Sequence, residues 1–489
     1  MKIGLVYFDI NTGYYPVFHH GLAYIVGALK SDNHNVFLIH LTSDANIDSA
    51  INLLQTERPD LIALSFTTNQ KKYVHNYFEK GGGFLGFTVA GGTHATLLKE
   101  QVFDEFSLID GICVGEGEFP LKELCNKIDE GNNIFSTSSF IFKVENKVIS
   151  NSIFPLQELD SFPFPDYSIF DYNKIISECG GMFPMMLGRG CPYNCSYCSN
   201  HAIKNVYPNK NKYVRFPSPT RSIDIIKNNL RIYPSAKKRT FSDDTFTLNS
   251  IWLSDFCKMY KKEINLPFIC NARVETITEA VALDLSNAGC ISVNFGVESG
   301  SEWLRKSILN RNHSNDVIIS AFKVLHKHGI DTFSFNMVGL PFETNEMAKE
   351  TLNLNRLLKP DFGICSYFFP YPGTRLHALC VEFNLLKSNI DSISGYFESP
   401  CIKNIFISDN EIIKSQEQLR AFFYSRLLVS KIKIPPYFET TLTNILLMLH
   451  KPIAYLLNPV SKNKLILNFR MILRKYAIRN LLGKQSAKT

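Results

Sequence analysis

The chain has 489 residues, 45% of them hydrophobic and 20% charged, which fits two to four globular domains with sizeable cores. No uninterrupted apolar run reaches transmembrane length. Twelve cysteines in so long a chain do not describe a disulfide scaffold, so a reducing, cytoplasmic setting is expected. The formal charge of +7 belongs to the tail: from Lys431 onward eleven Lys and Arg face one acid, Glu439, so the rest carries about −3 and gives no sign of a nucleic-acid partner.

Residues 2–8 read as a buried first strand rather than a signal peptide. Further apolar runs at 36–39, 61–66, 87–90 and 109–114 predict strands, with helices at 22–31 and 118–128 among the segments between them. This rhythm predicts a parallel, doubly wound sheet, which binds ligands beyond the carboxyl ends of its strands. Thr67 and Thr68 follow the third run, Gly91, Gly92, Thr93 and His94 the fourth, and Gly115, Glu116, Gly117 and Glu118 the fifth. Glycine there lets a large ligand approach the backbone. No G-x-G-x-x-G follows the first strand, which disfavours a dinucleotide. The first domain is expected to span 1–135. A hairpin and a linker follow over 136–180, where Phe162-Pro163-Phe164-Pro165 suits an extended segment packed on both domains.

The strongest chemical signal is a C-x3-C-x2-C run, Cys191, Cys195 and Cys198, framed by Gly190 and Pro192 and with Tyr197 before the last cysteine. Three thiolates this close along the chain can converge on one metal centre. A four-iron cluster wants four ligands, so three leave one iron open to bind a cofactor or substrate directly. Structural zinc takes four ligands, usually as two separated pairs, and no second pair follows. Free buried thiols are the remaining alternative.

Strand candidates at 185–187, 239–242, 267–271, 291–297, 332–338 and 363–369, each followed by a helical segment, fit a partial (β/α)6 barrel over 181–400. Parallel barrels put their chemistry at the carboxyl ends of the strands. Those ends carry Asp243 and Asp244, then Arg273, then Glu298 and Ser299, then Val338 and Gly339. Neighbouring side chains on a strand point oppositely, so one of the two aspartates is expected to face a ligand. Asp244 is also a candidate helix N-cap, and Glu298 a candidate ion-pair partner of Arg273. Residues 401–489 are expected to be helical and basic. Within 462–482, Leu465, Phe469, Leu473 and Tyr476 interleave with Lys464, Arg470, Arg474 and Arg479. That pattern of a basic amphipathic helix either docks on its own protein or meets a membrane surface or an acidic partner.

The cysteine run resembles the signature of the radical S-adenosylmethionine (SAM) superfamily. The resemblance implies a [4Fe-4S] cluster on Cys191, Cys195 and Cys198, whose open iron chelates SAM and whose electron releases a 5′-deoxyadenosyl radical. Downstream, 296–300 (Gly-Val-Glu-Ser-Gly) and 339–344 (Gly-Leu-Pro-Phe-Glu-Thr) resemble superfamily segments, the second with Phe342 where glycine is usual. The implied SAM contacts are Tyr197, Asp243, Asp244, Arg273, Glu298, Ser299, Val338 and Gly339, the last two through backbone groups against adenine. The segments 21–25, 91–94 and 110–118 resemble the cobalamin-binding domain of one large subfamily. They imply cobalamin at Thr67, Thr68, Gly91, Gly92, Thr93, His94, Gly115, Glu116 and Gly117. The D-x-H-x-x-G motif that supplies a histidine to cobalt fails here, because Phe37 follows Asp32 and His34 where glycine is needed. His34 is therefore read as a surface turn residue, and cobalamin as held without it.

Together these features imply an α/β chain: an N-terminal doubly wound, flavodoxin-like cobalamin-binding domain, a partial radical SAM barrel and a mainly helical C-terminal region. The resemblance covers roughly residues 1–385. It implies methylation of an unactivated carbon in a small-molecule or lipid substrate, with an electron donor such as flavodoxin or ferredoxin. Radical cyclisation, rearrangement or oxidation with the same cofactors is the alternative, and a cobalamin or redox sensor is the alternative outside enzymes. A methylthiotransferase would need a second cluster in the first domain, which offers only Cys113 and Cys125.

Overall fold

The computed structural model describes residues 1–10, 19–145, 147–390, 393, 395–432 and scattered positions between 438 and 449. The first sheet holds β1 (Lys2–Phe8), β2 (Asn35–Leu41), β3 (Leu61–Ser65), β4 (Thr88–Gly91), β5 (Gly111–Cys113), β6 (Phe140–Val144) and β7 (Lys147–Ser150). Their order is β2-β1-β3-β4-β5-β6-β7, with the first five parallel. That is the flavodoxin-like order, with its switch point between β1 and β3. All five residues of β3 are buried, as expected of a strand covered by helices on both faces.

The hairpin does not stand apart as a linker. β6 pairs antiparallel with β5 and β7 with β6, so the first sheet runs to Ser150 rather than ending at 135. Pairing covers the edge that β5 would otherwise expose. Phe140 and Phe142, stacked with centroids 5.4 Å apart, are fully buried in the core beneath it. The Pro/aromatic segment then lies against the first helix, His20–Ser31, where the Asp166 amide donates to the Ala23 carbonyl at 2.8 Å.

The second sheet holds β8 (Met182–Met185), β9 (Lys238–Phe241), β10 (Phe268–Ala272), β11 (Cys290–Glu298), β12 (Asp331–Val338) and β13 (Phe362–Tyr367). It runs β13-β12-β11-β10-β9-β8, all parallel. Each strand joins the next in sequence, and β8 and β13 remain edges, as a partial barrel requires. Burial alternates along these strands. Phe268, Cys270 and Ala272 of β10 are buried while Ile269 and Asn271 between them are half-buried. One face is thus sealed by helices and the other lines an accessible interior. The helix Asp409–Ile432 seals the outside of the last two strands, where Ile412, Leu419, Phe422 and Phe423 pack with Val338, Cys365 and Tyr367. No described helix is long and apolar enough to cross a membrane. The amphipathic segment 462–482 lies outside the described residues.

Candidate active site between the two sheets

The carboxyl ends of the first sheet line a cleft of about 1340 Å³, part of it open to solvent, whose far side includes Gly190 and Asn200, the residues flanking the cysteine run. One wall is mostly backbone. Gly91, Gly92 and Thr93 follow β4, and Gly115, Glu116 and Gly117 follow β5; all six line the cleft. Gly92 has φ +94°, and a Cβ there would stand 2.9 Å from the Phe66 carbonyl oxygen. Gly115 has φ +90°, and its Cβ would meet the Tyr207 hydroxyl at 2.6 Å. Both positions therefore demand glycine.

Thr67, Thr68 and His94, expected in this wall, are not among the residues that line it. Thr67 and Gln70 close a capping box around a short helical turn. Thr68 Oγ1 lies 3.1 Å from His94 Nδ1, and His94 Nε2 lies 2.8 Å from Glu105. His94 is buried, with its ring 5.4 Å from that of Phe66, so it braces the wall from the core side. The residue that does line the cleft is His19. Its Nδ1 accepts from the Leu22 amide at 3.1 Å, capping the first helix, and its Nε2 lies 3.2 Å from Ser65 Oγ. Burial pushes its pKa down to about 4. The ring is thus neutral, with its proton on Nε2 and its free lone pair spent on the helix. Histidine is an unusual N-cap, and that hid it in the sequence.

His34 is not a surface residue. It is 5% exposed, at the turn into β2, with Nε2 2.9 Å from Asn126 Oδ1. It bonds a neighbouring helix at the amino-terminal edge of the sheet, away from the cleft.

The opposite wall comes from the loops and short helix around the second sheet and is built largely from side chains, among them Arg189, Asn200, Tyr207, Tyr213 and Asp244. Cys191, Cys195 and Cys198 occupy the loop between β8 and the short helix Ser199–Lys204. Among the described residues, no three Cys, His, Asp or Glu side chains gather tightly enough to clasp a single metal ion. A cluster asks for a different arrangement, because each thiolate takes its own iron. One buried and two partly buried cysteines suit it better than a four-ligand zinc site.

The two aspartates divide as the strand alternation predicts. Asp243 is buried, and its carboxylate accepts the amides of Leu187 at 3.2 Å and Gly188 at 2.5 Å. It ties β9 to the strand leading into the cysteine loop, and burial raises its pKa to about 7. Asp244 lines the cleft. Its carboxylate accepts from Asn200 Nδ2 at 3.0 Å, and Asn200 Oδ1 accepts from the Tyr213 hydroxyl at 2.7 Å. The following helix is capped by Asn249, whose side chain accepts from the Trp252 amide, so Asp244 is not its cap.

Arg273 does not pair with Glu298. It bonds Glu275, lies 3.7 Å over the Tyr193 ring, and points Nη1 at Cys195 Sγ, 3.3 Å away. Glu298 stands at a bulge with φ 67°. It accepts from the Tyr197 hydroxyl at 2.9 Å and lies 3.9 Å from Arg311, a residue that no sequence motif singles out. Ser299 is buried and its hydroxyl accepts from the Ser301 amide at 3.2 Å. The backbone groups expected to meet adenine are already bonded: the Val338 carbonyl accepts from the Phe368 amide at 2.9 Å, and the Gly339 amide donates to Glu343 at 2.5 Å. Phe342 has φ 63°, the left-handed conformation in which a glycine costs least.

Ion pairs join the two walls. Arg189, next to the cysteine run, bonds Glu118 at 2.6 Å and Glu116 at 3.3 Å. Arg215 bonds Glu116 as well. The Arg189 guanidinium also lies over the rings of Tyr24 (4.8 Å) and Phe162 (4.7 Å). Glu116 therefore turns its carboxylate to the arginines, while its amide donates to the Tyr207 hydroxyl at 2.7 Å.

Two cofactor-type domains thus meet face to face. The family model described as the radical SAM superfamily matches residues 185–354, and that of the B12 binding domain matches residues 9–125. The chain thus carries both a B12-binding domain and a radical SAM domain. It is 29% identical over 374 residues to an uncharacterized methyltransferase of Pyrococcus horikoshii, covering 75% of this chain and 79% of that one. It is 25% identical over 376 residues to the anaerobic magnesium-protoporphyrin IX monomethyl ester cyclase of Rubrivivax gelatinosus, covering 73% of this chain and 65% of that one. Among solved structures, the radical SAM methyltransferase TsrM of Kitasatospora setae, with cobalamin and a [4Fe-4S] cluster bound, superposes over 100% of both chains with a TM-score of 0.68 at 15% identity. The cobalamin-dependent enzyme OxsB, with aqua-cobalamin and SAM bound, gives 0.68 at 16% identity over 100% of this chain and 81% of that one. At these identities the likeness speaks for the fold.

Proposed function

We propose that the protein is a cytoplasmic, cobalamin-dependent radical SAM enzyme that methylates an unactivated carbon of a small-molecule or lipid substrate. The observation that carries this reading is the shared cleft, with glycine turns suited to a flat macrocycle on one wall and, on the other, Gly190 and Asn200, which flank the three-cysteine loop. A cluster held by Cys191, Cys195 and Cys198 would supply an electron for cleavage of SAM, and a cobalamin held at the Gly91–Thr93 and Gly115–Gly117 turns would supply methyl-transfer chemistry.

The chain's own residues bind, orient and exclude. Asp244 is the carboxylate free to receive an ammonium group, with Asn200 and Tyr213 fixing its rotamer. Tyr197 and Glu298 present a bonded pair beside the cysteine loop for polar groups of SAM. Asp243, Ser299, Val338 and Gly339 shape the strand ends from behind. Gly91, Gly92, Gly115 and Gly117 let the corrin approach the backbone, and no histidine from the first domain is required as a cobalt ligand. The ion pairs of Arg189 and Arg215 hold the two cofactor sites at a fixed spacing, which is how positioning contributes to rate.

A second reading keeps the cofactors and changes the outcome. The cyclase relative supports radical cyclisation without methyl transfer. Reconstituted enzyme given SAM labelled in its methyl group, a one-electron donor and candidate substrates separates the two. Label in a carbon-bound methyl of the product supports methylation, whereas 5′-deoxyadenosine with an unlabelled, oxidised product overturns it in favour of the second reading.

A further inference from the structure

The three cysteine sulfurs sit in unlike surroundings. Cys191 Sγ has the Thr245 hydroxyl at 3.9 Å, and Cys198 Sγ has the Asn200 amide nitrogen at 3.8 Å. Both neighbours are neutral. Cys195, the most buried of the three, faces two guanidinium groups, Arg273 Nη1 at 3.3 Å and Arg311 Nη1 at 3.9 Å. Arg273 follows β10 directly, whereas Arg311 follows the π-helical turn Leu304–Ile308, and they are 7% and 5% exposed.

Each arginine is held by other partners in the orientation that aims it at the sulfur. Arg273 is clamped between the Tyr193 ring and Glu275. Arg311 donates Nη2 to the Gly296 carbonyl at 2.5 Å and Nη1 to the Tyr197 hydroxyl at 3.2 Å. Two carboxylates oppose their charge. Glu275 bonds Arg273 through Nε and Nη2, leaving Nη1 to the sulfur, and Glu298 lies 3.9 Å from Arg311. The positive ends of both pairs are therefore the ends that touch Cys195.

We propose that Arg273 and Arg311 are positioning residues that act through Cys195 to raise the reduction potential of the cluster, an inference that rests on the radical SAM reading above. Reduction transfers one electron from an external one-electron donor to the cluster, and the added negative charge spreads onto the ligating sulfurs. Hydrogen bonds to those sulfurs and nearby charge are the protein's means of setting such a potential. Charge-assisted bonds to one of three ligands favour the reduced state and bias the added charge towards one side of the cluster.

The test is a dithionite-poised potentiometric titration of full-length, anaerobically reconstituted protein, read by electron paramagnetic resonance of the reduced cluster. Arg311→Met keeps the volume and removes the charge. It should need a more negative potential, with the reduced-to-oxidised ratio at the wild-type midpoint falling about tenfold, equivalent to about 59 mV for a one-electron couple. Arg311→Lys should fall between them, because it keeps charge and loses the fork. Arg273→Gln should shift in the same direction. Iron content is measured on every sample. Loaded variants with the wild-type midpoint overturn the proposal, and so does loss of iron in all three, which would make the arginines necessary for assembly rather than for poise. A wild type that holds no cluster overturns the underlying reading instead.

Discussion

The two walls of the cleft are made from different material. The first domain presents backbone, and its polar side chains either turn back into their own sheet, as His94 and Thr68 do, or reach across to arginines, as Glu116 does. The barrel offers side chains drawn from separate loops and strand ends, bonded to one another in short chains such as Tyr213–Asn200–Asp244 at the cleft and Arg311–Tyr197–Glu298 around the cysteine loop. A backbone wall tolerates little at its glycines and much elsewhere. A side-chain wall fails wherever a bonded partner is lost.

The largest effect should come from the barrel wall. Replacing Cys191, Cys195 and Cys198 together by Ala should remove all iron after reconstitution, against about four irons in the wild type. Iron analysis and the visible spectrum check it. A triple variant that still cleaves SAM would sink the cluster assignment, and with it the contrast between the walls.

Breaking the contact between the walls comes next. Glu118 is 3% exposed at the site of its bond to Arg189, so Arg189→Met leaves a buried carboxylate unpaired. Such a loss costs about 3–5 kcal/mol, whereas cutting the exposed Lys80–Asp48 pair should cost under about 1 kcal/mol. Urea denaturation of both variants measures the difference. Adding Glu118→Gln to Arg189→Met should recover part of the stability. No recovery would mean that the arginine contributes mainly by packing over Tyr24 and Phe162.

Glu343, buried behind the strand ends, gives the barrel a pH dependence. It is fully buried, accepts two backbone amides through Oε2, and burial raises its pKa to about 8. The folded state therefore holds a proton that the unfolded state releases above about pH 4.5. The stabilising contribution is complete below that pH and is lost as pH rises through about 8. It amounts to a few kcal/mol, because each tenfold gain in proton affinity on folding is worth about 1.4 kcal/mol. Glu343→Gln keeps an acceptor for the amides and should flatten the profile between pH 5 and pH 8. An unchanged slope would show that the carboxyl is ionised in the folded protein.

How far the sequence was readable follows the same division. Both sheets, their parallel order and the cysteine loop were legible, because strand periodicity and close spacing are local signals. So were the glycine turns, since a backbone wall writes itself in glycine. The partners of the charged residues were not. Arg273 and Glu298 follow neighbouring strands and look like a pair, yet Glu275, two residues from Arg273, and Arg311, beyond the π-helical turn Leu304–Ile308, claim them. Sequence distance does not reveal such choices, because they depend on which way each strand end turns. The hairpin's place in the first sheet was hidden likewise, since covering an edge is a tertiary event.

On the backbone wall, Gly92→Leu should weaken cobalamin binding at least about tenfold, with a further stability cost of about 1–3 kcal/mol for a side chain at that φ. Equilibrium dialysis against hydroxocobalamin measures it. Gly131, also at positive φ but with open space around its absent side chain, is the control: Gly131→Asn should leave binding intact. Equal losses at both positions would mean that global stability, and not the cradle, was measured.

The smallest expected effect is the most discriminating. His34 is the histidine that the D-x-H fragment would offer to cobalt, and it is bonded to Asn126 at the far edge of the sheet. His19 lies in the cleft, but its Nδ1 caps a helix. Neither ring is free to coordinate, so bound cobalamin should show the spectrum of a cobalt without a protein histidine. His34→Ala removes a buried hydrogen-bonded ring and should lower the unfolding free energy by about 1–3 kcal/mol, yet the cobalamin spectrum should not move. His19→Ala removes the cap and should weaken binding through the loosened helix, again without a spectral shift. A change of the cobalt spectrum in the His34 variant would mean that the domain binds its macrocycle from the opposite edge, and the two walls would no longer face one site. A change in the His19 variant alone would keep the cleft and make the first wall, like the second, one that works through a side chain.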